Sequence, residues 1–96
     1  MIPLFHITTR EAWQAAQAAG EYRPPSLASE GFIHLSTAAQ WRATSHRFYR
    51  EVPDLILLHV DPTKLDIRYE RADGDDFPHL YGPLPLAAVI ELTALQ

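Results

Sequence analysis

The fold is decided by the stretch Leu55-Ile56-Leu57-Leu58-His59-Val60. Apart from His59, aliphatic residues fill both alternating sets of positions, so the strand that this stretch predicts has two apolar faces. Such a strand is typical of the interior of a sheet that is covered on both sides. We therefore expect residues 55–60 to form the central strand, with His59 as a hydrogen-bonded core residue.

Toward the N-terminus, the sequence predicts a strand that leads directly into a helix. Residues 2–7 have strand composition. The next four residues, Thr8-Thr9-Arg10-Glu11, fit a capping box in which Thr8 is the N-cap. Gly20 is placed to end this alanine-rich helix. After Gly20, proline-rich sequence indicates an extended connection and one short turn.

A second unit of the same kind follows. Residues 32–35 have strand composition, and Thr37-Ala38-Ala39-Gln40 fits another capping box. Pro53 ends the helix that this box begins. Trp41 and Phe48 recur at helical spacing, and we expect both to pack between the helix and the sheet.

The C-terminal part contains only strand patterns. Residues 67–70 and 77–81 alternate between polar and apolar positions, and the acidic loop Asp73-Gly74-Asp75-Asp76 separates them. Residues 87–92 form a last strand. Helices early and hairpin-like connections late favour an α+β fold, with two main helices on a small mixed or antiparallel sheet, over a doubly wound parallel sheet. The length suits one domain over residues 1–96.

Composition excludes several classes of function. The formal net charge of −4 argues against binding to long nucleic acid. The absence of cysteine removes disulfides, thiolate metal sites and cysteine nucleophiles. No secretory signal and no membrane-spanning apolar run is visible, so we expect a cytoplasmic protein without membrane contact, monomeric by default. A small ligand remains open, because a few local donors suffice to bind one.

Three histidines share one setting. His6, His34 and His79 each lie on a predicted strand and share its face with aromatic, aliphatic or hydroxyl side chains. Such a face suits a small ligand, because aromatics supply stacking area and a neutral imidazole offers one donor and one acceptor. Each histidine alone is also explained as a structural residue. His46 is expected on the exposed side of its helix.

Glu70 shares a strand face with Arg68, and three roles are open to it. The carboxylate could act as a general base, accept hydrogen bonds from a ribose, or form an ion pair with Arg68. The acidic loop is expected to be a solvated turn, because its spacing does not fit a calcium site.

The patterns for metal binding and for serine nucleophiles are missing. The sequence contains neither His-x-His nor His-Glu-x-x-His, so no metal site is predicted. It also lacks a Gly-x-Ser-x-Gly elbow, and Ser36 has no flanking glycines.

Taken together, the segments resemble a bacterial family of uncharacterised proteins, domain of unknown function 952. Two segments carry most of the likeness: residues 30–37, Glu-Gly-Phe-Ile-His-Leu-Ser-Thr, and residues 77–85, Phe-Pro-His-Leu-Tyr-Gly-Pro-Leu-Pro. The further matching positions are Phe5-His6-Ile7-Thr8, Trp13, Ser26-Leu27, Gln40, residues 55–61, Leu65 and Ala88-Val89. The resemblance implies a compact relative of the ADP-ribosyltransferase superfamily, with a split sheet around a cleft that holds NAD or an ADP-ribose-like nucleotide.

The resemblance also implies roles for single residues. His6 matches the residue that holds ribose hydroxyls, and His34, Ser36 and Thr37 lie where relatives flank the nicotinamide. At the position of the transferase glutamate this chain has His79 and Tyr81 instead, with Glu70 slightly earlier. If Glu70 does not face the cleft, the resemblance no longer implies a transferase.

Two hypotheses result, an enzyme that transfers or hydrolyses groups of an NAD-like nucleotide and a module that binds a nucleotide or metabolite without chemistry. Whether the protein is an enzyme stays open, and no cofactor other than NAD or a related nucleotide is implied. The catalytic candidates are His34, His79 and Glu70. The candidates for binding the ligand are His6, Ser36, Thr37, Arg68 and Tyr81.

Overall fold

Within residues 1–95, which the computed structural model describes, the chain forms eight strands, three α-helices and one short 3-10 helix at Leu86–Ala88. The strands are β1 Leu4–Thr9, β2 Glu21–Tyr22, β3 Ile33–His34, β4 Leu55–Val60, β5 Ile67–Ala72, β6 Asp75–Leu80, β7 Leu84–Pro85 and β8 Val89–Ala94. The helices are α1 Arg10–Ala19, α2 Pro25–Glu30 and α3 Trp41–Phe48. None of the helices in the described part of the chain is long and apolar enough to cross a membrane.

The first sheet has the order β1-β4-β8, and both pairings are antiparallel. The prediction of a central strand at residues 55–60 is confirmed, because β4 lies between two neighbours and Leu55, Ile56, Leu57, Leu58 and Val60 are buried. His59 is satisfied as expected, since its Nε2 lies 2.7 Å from the Thr93 hydroxyl. It is only half-buried, however, because β8 is an exposed edge strand.

The second sheet has the order β3-β6-β5 and is also antiparallel, and β2 pairs with β7 in a small third sheet. In the second sheet, His79 of β6 has His34 of β3 directly opposite on one side and Arg68 of β5 on the other. Residues directly opposite in a ladder share a face of the sheet. Glu70 lies two residues beyond Arg68 and is therefore a diagonal neighbour of His79.

The two faces of the first sheet bury different sets of side chains. Leu58 and Val60 pack with Trp13 of α1 and Ile33 of β3 in the larger core. On the other face, a smaller cluster lies under α3 and comprises Phe5, Ile7, Leu55 and Leu57 with the half-buried Trp41, Tyr49 and Leu95. Layers on both sides of the sheet agree with the two apolar faces of β4.

Phe48 departs from the prediction. Trp41 packs on Phe5, with ring centroids 6.4 Å apart, as expected for a core-facing residue. The side chain of Phe48 is 57% exposed instead of buried. It is the last residue of α3, and the Arg47 guanidinium lies over its ring, 5.0 Å from the centroid.

The helix starts also differ from the predicted capping boxes. Thr9 rather than Thr8 caps α1, and its hydroxyl accepts the Ala12 N–H at 3.1 Å. Thr8 instead points its hydroxyl inward. At the second box, Gln40 accepts the Thr37 N–H at 3.0 Å as predicted, but α3 begins only at Trp41.

The acidic loop is shorter than the predicted loop Asp73-Gly74-Asp75-Asp76. β5 and β6 are joined by the two-residue turn Asp73-Gly74, whose φ values are 51° and 83°. Positive φ at both central positions is the geometry that Asp-Gly favours in hairpins. Asp75 and Asp76 therefore belong to β6, and the Gln40 amide reaches the Asp75 carboxylate at 3.0 Å and so links the hairpin to the start of α3.

Candidate ligand-binding site

A cleft of about 1190 Å³ is lined by β1, α1, the segment 21–26, the C-terminal part of α3 and the tip of the β5–β6 hairpin. Its volume lies above the roughly 300–1,000 Å³ of common small-molecule sites. Four of the predicted site residues line it: His6, His34, Ser36 and His79. The other four, Thr37, Arg68, Glu70 and Tyr81, are not part of its lining.

His79 is the most unusual group of the cleft. Its side chain is only 6% exposed, and its Nδ1 lies 2.7 Å from the Glu70 carboxylate. Phe32 stacks on the imidazole, with ring centroids 4.0 Å apart and planes inclined by 13°. Nε2 of His79 is buried and has no hydrogen-bond partner within residues 1–95. A buried polar atom of this kind is rare, because most such atoms are hydrogen-bonded.

Glu70 holds His79 from outside the cleft. One carboxylate oxygen accepts the Tyr81 hydroxyl at 2.6 Å and the His79 Nδ1–H at 2.7 Å. These two hydrogen bonds, the one from Tyr81 above all, lower the pKa of Glu70 and favour its ionised form. The same bond raises the pKa of Tyr81. Because the carboxylate fixes a proton on Nδ1, a neutral His79 has a free lone pair on Nε2.

Arg68 is not the partner of Glu70. Its guanidinium binds Asp66, with the closest N–O distance 3.0 Å, and lies 4.3 Å from the centroid of the Tyr81 ring. No ion pair joins Arg68 to Glu70 in the described chain, so the expected partner of Glu70 is wrong; the carboxylate contacts His79 instead. The role of Arg68 here is to cover the ring of Tyr81, and nothing places it against a ligand in the cleft.

His34 differs from His79 in its exposure. Its side chain is 53% exposed, and Nε2 lies 2.9 Å from Glu30, four residues earlier. The imidazoles of His34 and His79 meet edge to face with centroids 5.3 Å apart. The register of β3 against β6 thus brings together two of the histidines that the sequence separates by 45 positions.

His6 lies in the interior and uses both ring nitrogens. Nδ1 donates to the His34 carbonyl at 2.7 Å, and Nε2 lies 2.8 Å from the Tyr22 hydroxyl, which in turn is 3.0 Å from the Thr8 hydroxyl. Burial lowers the pKa of His6 to about 4 and raises that of Tyr22 to about 12. The expected role of His6 in binding ribose is not supported, because neither nitrogen is free. His6 instead fixes the backbone at His34.

Ser36 and Thr37 are adjacent in the chain, but only Ser36 lines the cleft. Ser36 forms an isolated bridge with Phe5, whose backbone exchanges two hydrogen bonds with it, and this places Ser36 in the cleft wall. Thr37 is not among the residues that line the cleft, and Gln40 accepts a hydrogen bond from its backbone N–H. The expected contact of Thr37 with a ligand stays a prediction.

Sequence reasoning missed three residues that shape the site. Phe32 stacks on His79 across the ladder, whereas the sequence indicates only that it lies on the predicted strand 32–35. Glu30 precedes His34 by four positions. This spacing predicts a side-chain contact within one helix, but here the two residues lie in different elements. The helical spacing of Phe48 from Trp41 predicted a core residue, whereas Phe48 lines the cleft.

Comparison with solved structures gives close matches. The crystal structure of protein CC0527 from Caulobacter crescentus has a TM-score of 0.89 with this chain, at 34% sequence identity over 98% of this chain and 86% of that one. The solution NMR structure of the same protein has a TM-score of 0.87 at the same identity, over 100% of this chain and 86% of that one. No curated protein matches the chain significantly.

The family comparison agrees with the sequence resemblance. The family described as "Protein of unknown function (DUF952)" matches residues 7–92. These comparisons do not show the likeness to ADP-ribosyltransferases that the resemblance implied. What is shown is a small α+β fold with antiparallel sheets. Because this family matches most of its length, the chain belongs to the DUF952 family of proteins of unknown function.

Proposed function

We propose that the cleft binds a nucleotide of the NAD or ADP-ribose type and that His79 acts on it as a general base, in a hydrolysis or a group transfer at the sugar. The observation that carries this proposal is the buried, unpartnered Nε2 of His79, held by the ionised Glu70 behind it. A base that is oriented by a carboxylate is a recurring arrangement in catalysis.

The proposed step uses the lone pair on Nε2, which is closed off from solvent in the free protein, so a ligand must first displace the side chains that cover it. His79 takes a proton from water or from an acceptor hydroxyl while that oxygen forms a bond to C1′ of the ribose. The bond from C1′ to the ring nitrogen of the nicotinamide breaks, and the leaving base keeps the electron pair. His79 then returns the proton to solvent. Phe32 restricts the tilt of the imidazole during these steps, because the two rings are stacked.

A carboxylate is also required, because positive charge develops on the sugar as the bond breaks. Glu70 does not line the cleft, so it cannot fill that role directly. Glu30 lines the cleft and binds His34, and we assign the electrostatic role to this carboxylate. It is half exposed, so water screens its field and a slow reaction is expected.

One observation favours the second hypothesis, binding without chemistry. Glu70 lies outside the cleft, so the carboxylate that an ADP-ribosyltransferase needs beside the sugar is missing at this position. The same histidines would then serve as hydrogen-bonding groups for a nucleotide or small metabolite, with His79 Nε2 as the acceptor.

The experiment has two steps. The melting temperature is first measured with NAD, ADP-ribose and nucleoside phosphates, because a ligand that binds the folded state raises it by mass action. Each ligand is then incubated with the protein and analysed by mass spectrometry. Released nicotinamide supports catalysis, whereas a bound but unchanged ligand supports the second hypothesis. If none of the compounds changes the melting temperature, both hypotheses fail.

The matched control is a pair of histidine variants. His79→Gln should abolish product release, and His46→Gln should leave it unchanged, because His46 is exposed on α3 and bonds only to Arg50 in the described residues. Equal activity of the two variants would contradict the assignment of His79 as the base.

A further inference from the structure

We infer, on the basis of the proposed function, that the cleft recognises the nucleoside part of its ligand and leaves the phosphates without a cationic partner. A free nucleoside should therefore bind about as tightly as its phosphorylated form. The inference rests on the charges, the helix ends and the exposed aromatic ring of the cleft.

The charged side chains of the wall are mainly acidic. Glu21, Glu30 and Asp73 line the cleft, and Arg23 is the one arginine or lysine among its lining residues within the described chain. Arg23 is already engaged, because its Nε binds the Glu21 carboxylate. Asp73 in turn pairs with Arg47, which is not among the lining residues, at 3.6 Å. The guanidinium groups of Arg23 and Arg47 are thus each paired with a wall carboxylate, and a phosphate would have to compete with Glu21 or Asp73 for them.

The helix N-termini do not replace the missing cations. An open helix start binds phosphate through its free backbone N–H groups. At α1, the Thr9 hydroxyl and the Asp54 carbonyl accept the N–H groups of Ala12 and Arg10, and the carboxylate of Glu11 adds negative charge to the first turn. At α2, Pro24 and Pro25 stand at the start of the helix, and proline has no N–H group.

The remaining lining suits a nucleoside. Phe48 is 57% exposed and lines the cleft together with Phe77. The Arg47 guanidinium lies over one face of the Phe48 ring, 5.0 Å from the centroid, so a base can stack on the other face. Four alanines of α1 supply an apolar wall: Ala12, Ala15, Ala16 and Ala19. The polar side chains of the lining include His34 and Ser36, with which sugar hydroxyls can form hydrogen bonds.

The test compares matched pairs by isothermal titration calorimetry: nicotinamide riboside with nicotinamide mononucleotide, and adenosine with adenosine monophosphate. We expect the Kd values within a pair to agree to about threefold, and to change little between about 0.05 and 0.5 M salt, because no ion pair to phosphate is made. A nucleotide that binds 10-fold or more tightly than its nucleoside overturns this inference and leaves the proposed function standing. If no member of either pair binds, the proposed function itself fails, and the inference fails with it.

Two variants with a matched control extend the test. Phe48→Ala should weaken the nucleoside and the nucleotide equally, by about 10-fold, through loss of stacking. Tyr69→Ala is the control, because Tyr69 is also 57% exposed but lies outside the cleft lining, and it should change neither Kd. Arg23→Ala should leave nucleotide binding unchanged. Selective weakening of the nucleotide by Arg23→Ala would show that a phosphate contact exists and would overturn the inference.

Discussion

At the scale of single residues, the burial of His79 Nε2 costs free energy of folding that the packing of the residue does not explain. A buried donor or acceptor without a partner costs about 1–3 kcal/mol of stability. His79 Nε2 is such an atom, and Trp13 Nε1 is the other one within residues 1–95. Trp13 offsets this cost through its large indole in the core. For His79, the hydrogen bond to Glu70 and the contacts with Phe32 and His34 offset part of this cost. A phenyl ring would keep only the aromatic contacts.

His79→Phe should therefore separate stability from function. The variant keeps an aromatic ring against Phe32 and removes the unpartnered nitrogen, but it also loses the hydrogen bond to Glu70. These two effects oppose each other, so the free energy of unfolding should change by less than about 1 kcal/mol. Ligand binding and any product release should be lost. Urea denaturation and the thermal-shift assay measure the two effects. A destabilisation of several kcal/mol, with binding intact, would mean that His79 serves the fold alone.

Glu70→Gln tests whether the carboxylate positions His79. The amide keeps nearly the same shape but loses the charge that favours a proton on Nδ1, so the free lone pair on Nε2 is no longer enforced. We expect the turnover rate to fall by roughly 10²-fold or more with little change in Kd. Tyr81→Phe should have a smaller effect of the same kind, since it removes one donor to Glu70. A change confined to Kd would place Glu70 in ligand binding instead.

At the scale of secondary-structure elements, the ladder of the second sheet builds the site. β6 lies in the middle, and its neighbours β3 and β5 each present a residue of the site to His79. The Asp73-Gly74 turn sets the register of β5 against β6, which makes Glu70 a diagonal neighbour of His79. A slip by one residue would move Glu70 to the opposite face and leave His79 without its partner.

Gln40 joins this hairpin to α3. Its amide accepts the Thr37 N–H and donates to Asp75 and to the Asp76 carbonyl. We expect Gln40→Ala to destabilise the protein by about 1 kcal/mol, because the Thr37 N–H loses its acceptor and the hairpin loses its anchor. Chemical denaturation measures the difference. Gln17→Ala, at an exposed position of α1, is the control and should be neutral or slightly stabilising.

At the scale of the whole molecule, the buried network around His6 makes folding sensitive to pH. Burial lowers the pKa of His6 to about 4 in the folded protein, whereas an imidazole in the unfolded chain has its ordinary pKa of 6.5. Between these values the unfolded chain binds a proton that the folded protein excludes, so stability falls as the pH falls from about 6.5 to about 4. The lowered pKa of Glu70 adds a further loss below its unfolded value of 4.5.

The contribution of His6 amounts to about 3 kcal/mol over the full interval. We expect the free energy of unfolding of the unsubstituted protein to decrease between about pH 7 and pH 4.5, and to decrease less steeply in His6→Gln. Urea denaturation at several pH values measures both slopes. Where His6→Gln is too unstable, NMR of the His6 ring gives a second test, and its signals should stay those of a neutral imidazole down to about pH 5. Parallel slopes, or an early titration of the ring, would contradict this account.

The sequence alone determined the parts of this protein that depend on local patterns. The apolar run of β4 established the central strand, and the order of helices and strands indicated the α+β class with a mixed or antiparallel sheet, of which the structure has the antiparallel form. Two segments, residues 30–37 and 77–85, were sufficient to indicate the family, and the family match confirmed it. Alternation along β3 and β6 also placed His34 and His79 on sheet faces, because the two-residue period of a strand depends only on the backbone.

Only the tertiary structure decided what each histidine can do. The sequence treated His6, His34 and His79 as equivalent, whereas one is buried with both nitrogens bonded, one is exposed, and one is buried with a free nitrogen. The exposure of Phe48 and the attachment of Glu70 to His79 likewise follow from where helices end and how strands align. Burial and hydrogen-bond partners arise between segments far apart in the chain, and a local pattern does not contain that distance information.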